Sequence, residues 1–95
     1  MSQSGTAKEQ KHYQKAAMQP IEVMQRIMSY EQFYGFLIGN YIKYSMRKGL
    51  KTGEDTAKDE QKALQYAYWV ELHKKMHLID PIKDSVPADY TYKGI

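Results

Sequence analysis

The sequence predicts an all-α protein in which one short helix precedes two long helices that pack as an antiparallel hairpin. Three observations predict this fold class. Apolar residues recur at helical spacing in three successive segments, residues that begin and end helices punctuate those segments, and no stretch shows the alternation of a β-strand. A chain of 95 residues makes at most one domain, with a modest core.

The short helix is predicted to begin at Pro20. Proline is favoured at the first helical position because its missing N–H would have no partner there. Ile21, Met24 and Met28 follow at spacing i, i+3 and i+7, so they form an apolar stripe on one side of the helix. Ser29 follows directly, and the next helix therefore begins with almost no linker.

The central helix is predicted over residues 29–49 and has the clearest ends. Ser29 can act as N-cap, and Gln32, three residues later, completes a capping box. Gly49 is the residue that most easily adopts the left-handed conformation closing a helix. We expect the rest of the chain to pack around this helix.

The central helix has two unlike faces. One face is apolar and carries two small residues where another backbone could come close: Gly35, Ile38, Gly39, Ile42 and Met46. The other face is aromatic in its first half and amide or cationic in its second half: Phe33, Phe36, Asn40, Lys43, Tyr44 and Arg47. We predict that the first face is core and that the second face carries the functional site.

The last helix is predicted over residues 55–78, with acids in its first turn and lysines in its last. One side gathers Lys62, Tyr66, Trp69, Val70, His73 and Met76. A second apolar stripe lies apart from it: Leu64, Tyr68 and Leu72. One small core cannot easily cover both stripes, so we predict a homo-oligomer. The alternative is that the second stripe docks on a host protein.

Both ends of the chain are predicted to lie outside the helical domain. Residues 1–11 are small and polar, which predicts a disordered N-terminal tail. The helical domain is placed at residues 12–79, because Asp80 and Pro81 stop the last helix. Residues 80–95 are predicted to form an extended C-terminal tail that packs, if at all, on a neighbouring molecule.

Charge and residue usage narrow the classes of function. The net charge of +3 permits an anionic ligand, whereas proteins that bind nucleic acid usually show denser Lys/Arg clustering. The chain has no cysteine, hence no disulfide and no thiolate metal site. The first nineteen residues lack an apolar signal segment, and no apolar run approaches the roughly 18 residues of a membrane span. These features predict a cytoplasmic protein that does not contact a membrane.

The polar stripe of the central helix is the first candidate site. Asn40, Lys43 and Arg47 are spaced i, i+3 and i+7 and share one face. Arginine as a two-pronged donor, lysine as a point charge and an orienting amide could together hold a phosphate. The alternative is that the two cations only complement the helix dipole near its C-terminal end.

A matching stripe begins the last helix with Asp59, Lys62 and Tyr66. In an antiparallel hairpin the start of this helix lies near the end of the central one, so Asp59 could meet Arg47 or Lys43. Asp59 would then orient a phosphate-binding cation or hold a Mg²⁺ together with the substrate. The alternative is a purely structural ion pair.

Other candidate sites have weaker support. His73 and His77 are spaced i, i+4, but no third potential ligand follows at a sequence spacing typical of metal sites. We therefore predict no metal site. The rings of Tyr44, Tyr66 and Trp69 could stack on a base, although aromatic stripes at helical spacing are more often core. No Walker-type phosphate loop and no GxSxG motif is present.

Several motifs occur in an order that resembles the SaV-like family of short bacteriophage proteins. They are HY from His12, PIEVMQRI from Pro20, GFLIGNYIKYSMRKGLKTG from Gly35 and DEQKALQYAYW from Asp59. The matching positions are His12, Tyr13, Glu22, Gly39, Asn40, Lys43, Tyr44, Arg47, Asp59, Lys62, Ala63 and Tyr66. The departures are the stretch AMQ before Pro20, Glu60 where the family often has leucine, and a longer C-terminal tail.

The resemblance implies a nucleotide-handling protein in the cytoplasm of an infected host cell. Some relatives are similar to a phage kinase that phosphorylates deoxynucleoside monophosphates without a Walker motif and works as an oligomer. In that case Arg47 and Asp59 would be catalytic, and Mg²⁺ would arrive with the nucleotide. The ligand contacts would come from His12, Tyr13, Asn40, Lys43, Tyr44, Arg47, Lys62 and Tyr66. The alternative is an oligomeric binder that sequesters a nucleotide without catalysis.

Overall fold

The computed structural model describes residues 17–48, 50, 53–92 and 94. This part of the chain contains three helices. Helix α1 spans Pro20–Ile27, α2 spans Tyr30–Arg47 and α3 spans Gly53–Lys74. The start of α2 lies beside the end of α3, where the Tyr30 and His73 rings are 4.2 Å apart. The long helices therefore run antiparallel, which confirms the predicted all-α hairpin.

The predicted helix starts are confirmed by their hydrogen bonds. Pro20 is the first residue of α1, and the Glu22 carboxylate accepts the backbone N–H of Gln19 at 2.8 Å. At the start of α2 the Ser29 hydroxyl accepts the Gln32 N–H at 3.1 Å, and the Gln32 side chain accepts the Ser29 N–H at 2.9 Å. Gly49, the predicted end of this helix, lies outside the described residues.

The core lies between α2 and α3, and α1 closes one side. Its buried apolar side chains are Ile21, Phe33, Leu37, Ala63, Ala67, Trp69, Val70 and Ile79. The two buried alanines lie on successive turns of α3. None of the three helices combines the length and the apolar character that crossing a membrane requires.

The prediction for the buried face of α2 is wrong. Gly35 and Gly39 are exposed, and Ile42 and Met46 keep 48% and 70% of their surface accessible. The aromatic face points inward instead. The physical reason is area, because phenylalanine rings bury far more apolar surface than glycines do.

Helix α3 ends four residues earlier than predicted, at Lys74. Met76 has a φ of +62°, the left-handed conformation that normally favours glycine. The Met76 N–H donates to the His73 carbonyl at 2.9 Å, and the His77 N–H donates to the Leu72 carbonyl at 3.0 Å. This pair of bonds is a Schellman motif, and it turns the chain out of the helix before His77.

Replacing Met76 with glycine is expected to stabilise the protein by about 1 kcal/mol, because the left-handed conformation costs a residue with a Cβ about that much. Little burial is lost, since Met76 is 78% exposed. Urea denaturation followed by circular dichroism measures the change. Met76→Ala is the matched control, because it removes the side chain but keeps the Cβ. An equal gain in both variants would show that the φ angle is not the cause.

The C-terminal segment, residues 80–92, packs on its own chain, so the prediction that it would pack only on a neighbouring molecule is wrong. The Trp69 indole N–H donates to the Asp84 carbonyl at 2.8 Å, and the Tyr90 hydroxyl donates to the Glu71 carboxylate at 2.6 Å. The Tyr90 ring also meets Tyr68 edge-on at 5.4 Å. The second apolar stripe of α3 is thus partly covered, and Tyr68 and Leu72 pack against the core.

An amide pair ties α1 to the residues after α3. The Gln25 side chain donates to the Ile79 carbonyl at 2.6 Å and accepts the Ile79 N–H at 3.0 Å. Ile79 is buried, so both of its backbone groups would otherwise lack a partner. The sequence gives no signal for this contact, because it joins residues 54 positions apart.

Asp84 holds the turn after α3 together and makes the stability of the fold depend on pH in the acid range. Its carboxylate accepts the Asp80 N–H at 2.8 Å and a bond from His77 Nε2 at 2.9 Å. The Asp80 N–H is the main cause that lowers the pKa of Asp84 below its ordinary 3.8, and His77 adds to it. The folded state therefore binds this proton less readily than the unfolded chain does.

The stabilisation from Asp84 is complete above the ordinary pKa of 3.8 and is lost as pH falls through the lowered folded pKa. We expect Asp84→Asn to cost about 1 kcal/mol at pH 7. We also expect the variant to lose stability less steeply than the wild type below pH 4. Urea titrations from pH 2 to 7 measure both. Parallel curves for the two proteins over the acid range would contradict this assignment.

Candidate functional site

The candidate site lies where the end of α2 meets the start of α3. Arg47 is the last residue of α2, and Asp59 lies in the second turn of α3. The distance from Arg47 Nε to Asp59 Oδ2 is 3.8 Å, so the predicted meeting of these two residues is observed. The hairpin produces this contact because an antiparallel pair places the C-terminal end of one helix beside the N-terminal end of the next.

Three cationic side chains surround the Tyr44 ring. The Lys43 ammonium lies 4.7 Å from the ring centre, the Lys62 ammonium 5.2 Å and the Arg47 guanidinium carbon 5.5 Å. Each is within the distance at which a cation is attracted to an aromatic face. We call the group Lys43, Tyr44, Arg47, Asp59 and Lys62 the Tyr44 cluster.

The charge in the Tyr44 cluster is unbalanced. Asp59 is the acidic member, and it faces three cations whose heads lie within 5.5 Å of one ring centre. Positive charges gathered around one ring repel one another, and an anion placed among them would relieve that repulsion. Arg47 keeps 43% of its side chain exposed, so an anion arriving from solvent can reach it.

Asp59 is the buried polar residue of this site. It is 3% exposed, and its Oδ2 has no hydrogen-bond partner among the described residues. The 3.8 Å separation from Arg47 exceeds hydrogen-bonding distance. A buried carboxylate oxygen in this state has lost its water without gaining a full replacement.

The aromatic residues beside the cluster form a packed support. The Tyr66 ring stacks on Tyr44 at 6.0 Å and meets the edges of Phe36 at 6.2 Å and Trp69 at 5.3 Å. Burial, and secondarily Tyr44, raises the pKa of Tyr66, so its hydroxyl stays protonated at neutral pH. These contacts favour the core interpretation of Tyr66 over stacking on a base.

The remaining predicted ligand contacts fall in two groups. Asn40 is half-buried on α2, one turn before Tyr44, and its Nδ2 donates to the Phe36 carbonyl at 2.9 Å. This bond is internal to the helix and fixes the orientation of the amide. His12 and Tyr13 lie outside the described residues.

His73 and His77 do not share a helix face, because α3 ends before His77. His73 stacks on Tyr30, and its Nε2 lies 3.0 Å from the Tyr30 carbonyl. His77 bonds to Asp84 instead. Within the described part of the chain no three side chains of metal-binding type lie close enough to hold an ion.

Sequence reasoning missed the role of Tyr44 as the common neighbour of three cations. The sequence predicts that the Tyr44 ring stacks on a base, and the structure places the same ring next to Lys43, Arg47 and Lys62. The available signal was its position directly after Lys43 and three residues before Arg47. No comparable signal in the sequence indicated that Lys62, which lies on the other long helix, would also approach the Tyr44 ring.

A Mg²⁺ fits this site only together with a ligand. Asp59 supplies a single carboxylate, and Arg47 already lies 3.8 Å from its Oδ2. Magnesium is commonly held by one or two carboxylates plus the phosphates of a bound substrate. The residues of the Tyr44 cluster do not form a cation cage by themselves.

Comparison with known proteins places the chain in a family whose function is unknown. A family model described as a protein of unknown function, DUF3310, matches residues 7–68, so the chain belongs to the DUF3310 family. The matched residues include the whole Tyr44 cluster and end before the C-terminal segment. No curated protein and no solved structure matches the chain.

Proposed function

We propose that this member of the DUF3310 family binds a nucleotide, or a closely related phosphorylated small molecule, at the Tyr44 cluster. The observation that carries the proposal is the convergence of Lys43, Arg47 and Lys62 on one ring beside a single buried carboxylate. Such an excess of positive charge is matched best by a ligand that carries two or more negative charges.

The donor types support a phosphate rather than a carboxylate. Arginine offers a planar pair of N–H groups that fits two oxygens of one phosphate, and the two lysines add point charges at other angles. The three groups come from both long helices, so they approach a ligand from different directions. A single carboxylate could not engage all three at once.

The resemblance to short bacteriophage proteins supports a nucleotide as the phosphorylated ligand and the cytoplasm of an infected cell as the setting. Transfer of a phosphoryl group between nucleotides is the enzymatic form of this proposal. In it Arg47 would stabilise charge on the transferred group, since such catalysis is mainly positioning and electrostatics. Mg²⁺ would come bound to the nucleoside triphosphate.

Isothermal titration of the full chain with each deoxynucleoside monophosphate, and with ATP plus Mg²⁺, tests the proposal. We expect at least one ligand to bind to the wild type. Mixing that ligand with ATP and Mg²⁺ then separates the two forms, because diphosphate product indicates a kinase and binding without product indicates a sequestering protein. No binding to any member of the panel would contradict the proposal.

We further infer that the chain self-associates through the outward face of α2. Gly35 and Gly39 are exposed, and a Cβ added at either would meet nothing within 4 Å. Among the described residues their small size therefore serves no contact, although each costs about 0.5–1 kcal/mol relative to alanine in a helix. Exposed Ile42 and Met46 complete an apolar surface suited to a second copy.

Replacing Gly39 with leucine is expected to weaken self-association by blocking the close approach of a second helix, while the chain stays folded. Analytical ultracentrifugation over a range of concentrations measures the effect. Lys75→Leu, an exposed site on the far end of the hairpin, serves as a control with the same new side chain. A wild type that stays monomeric at every concentration would refute this inference.

A further inference from the structure

We infer that Asp59 is a positioning residue that acts through Arg47. It lies on the Nε side of the guanidinium and holds it there when a phosphate binds, which leaves the two terminal nitrogens available to that phosphate. This inference rests on the proposed function, and it gives Asp59 a role without ligand contact.

The position of Asp59 on α3 is one that apolar residues otherwise fill. Ala63, Ala67 and Val70 follow it on the side of α3 that faces α2, and all are buried. An acidic side chain at the end of this row gives up its hydration. An apolar residue of similar size would pack there without the cost of losing hydration. Packing therefore does not explain why a carboxylate occupies this position.

The two partners differ sharply in their access to solvent. The Asp59 side chain is 5% exposed, whereas the Arg47 side chain is 43% exposed. A ligand that arrives from solvent therefore meets Arg47, and Asp59 lies behind it. The carboxylate can influence such a ligand mainly through the guanidinium.

The contacts of Arg47 define which part of its guanidinium remains available. Nε is the atom 3.8 Å from Asp59 Oδ2, and the central carbon lies 5.5 Å from the Tyr44 ring centre. A guanidinium held near a carboxylate at Nε and near an aromatic ring at Cζ keeps its terminal nitrogen pair for two phosphate oxygens. Anchoring of this kind reduces the freedom that a flexible arginine would lose on binding.

The unpartnered Oδ2 of Asp59 fits this role better than metal binding. A divalent cation placed on this oxygen would lie beside the Arg47 guanidinium and be repelled by it. A small inward movement of Arg47, by contrast, would bring Nε into hydrogen-bonding range. The geometry points to a guanidinium that tightens against Asp59 when a phosphate engages its other edge.

A double-mutant cycle tests the inference on the full chain, with inorganic pyrophosphate and ATP as probes. The four proteins are the wild type, Asp59→Asn, Arg47→Ala and the combined variant. We expect Asp59→Asn to weaken binding about tenfold, within the range typical of coupled neighbours, and to have no further effect once Arg47 is alanine. Equal losses from Asp59→Asn in both backgrounds would overturn the inference.

A second readout reports on the Asp59–Arg47 contact itself. The Arg47 Nε–H signal in nitrogen-edited NMR is expected to exchange with water several-fold more slowly once pyrophosphate is bound to the wild type, and this slowing is expected to be absent in Asp59→Asn at saturating pyrophosphate. Unchanged exchange would overturn the inference even if the variant binds poorly. If neither probe and no member of the nucleotide panel binds the wild type, the proposed function fails, whereas binding to the wild type without slower Nε–H exchange overturns the Asp59 inference alone.

Discussion

Replacing Phe33 with alanine is expected to reduce the free energy of unfolding by about 3–5 kcal/mol. Phe33 is 1% exposed, and its ring contacts Phe36 at 5.9 Å and His73 at 5.1 Å. Removing the ring leaves a cavity in the middle of the hairpin core. Because domains of this size are stable by only about 5–15 kcal/mol, a large fraction of the variant would unfold near 37 °C.

Urea denaturation, followed by circular dichroism and by the fluorescence of the single tryptophan, measures the loss. Ile42→Ala is the matched control, because Ile42 lies on the opposite face of α2 and is 48% exposed. We expect it to cost less than about 1 kcal/mol, since the residue loses only part of its burial. Similar losses in both variants would contradict the orientation of α2.

Removing the three cations of the Tyr44 cluster together is expected to abolish phosphate binding. Arg47→Ala alone should weaken it about 10- to 100-fold, because each hydrogen bond from a charged group contributes about 1.5–3 kcal/mol and about 1.4 kcal/mol corresponds to tenfold. Lys43→Ala and Lys62→Ala should each cost less, because an exposed ammonium is well hydrated. If these effects add, the triple variant should lose about 100- to 1,000-fold.

The control for this prediction removes the same charge elsewhere. Lys75 is exposed at the far end of the hairpin, so Lys75→Ala should bind like the wild type. The melting temperatures of the single lysine variants should agree with the wild type within a few degrees, since exposed charges contribute little to stability. Arg47→Ala should melt lower, because it leaves the buried Asp59 carboxylate without its cation. A loss of affinity in Lys75→Ala equal to that in Arg47→Ala would mean that only net charge matters.

Local sequence signals predicted the helix starts because capping is a local interaction. Ser29 and Gln32 are three residues apart, and their hydrogen bonds form whatever the rest of the chain does. The end of α3 was harder to predict. Met76 occupies the left-handed position that usually holds a glycine. The residue types therefore gave no indication that the helix ends early.

The orientation of α2 could not be read from periodicity. Both of its faces carry apolar residues, and periodicity locates a stripe without saying what packs on it. Phe33 and Leu37 are buried because large side chains gain most from α3. The docking of the C-terminal segment was equally hidden, since it relies on the Asp84 carbonyl, a backbone group that every residue possesses.

The candidate site was predictable in part. Helical spacing placed Lys43 and Arg47 together, and the antiparallel hairpin brought Asp59 to Arg47. The convergence of three cations on Tyr44 was not predictable, because the positions of long side chains depend on neighbours in both helices. The burial of Asp59 also emerged only from the packing of α3 against α2.

The most direct test of the central claim is a crystal structure of the full chain with the tightest-binding nucleoside phosphate from the titration panel. We expect phosphate oxygens within hydrogen-bonding distance of the Arg47 guanidinium and of the Lys43 or Lys62 ammonium, with Asp59 behind Arg47. A nucleotide seated elsewhere, for example in the small depression lined by Gln25, His73 and Leu78, would contradict the assignment of the Tyr44 cluster as the ligand site.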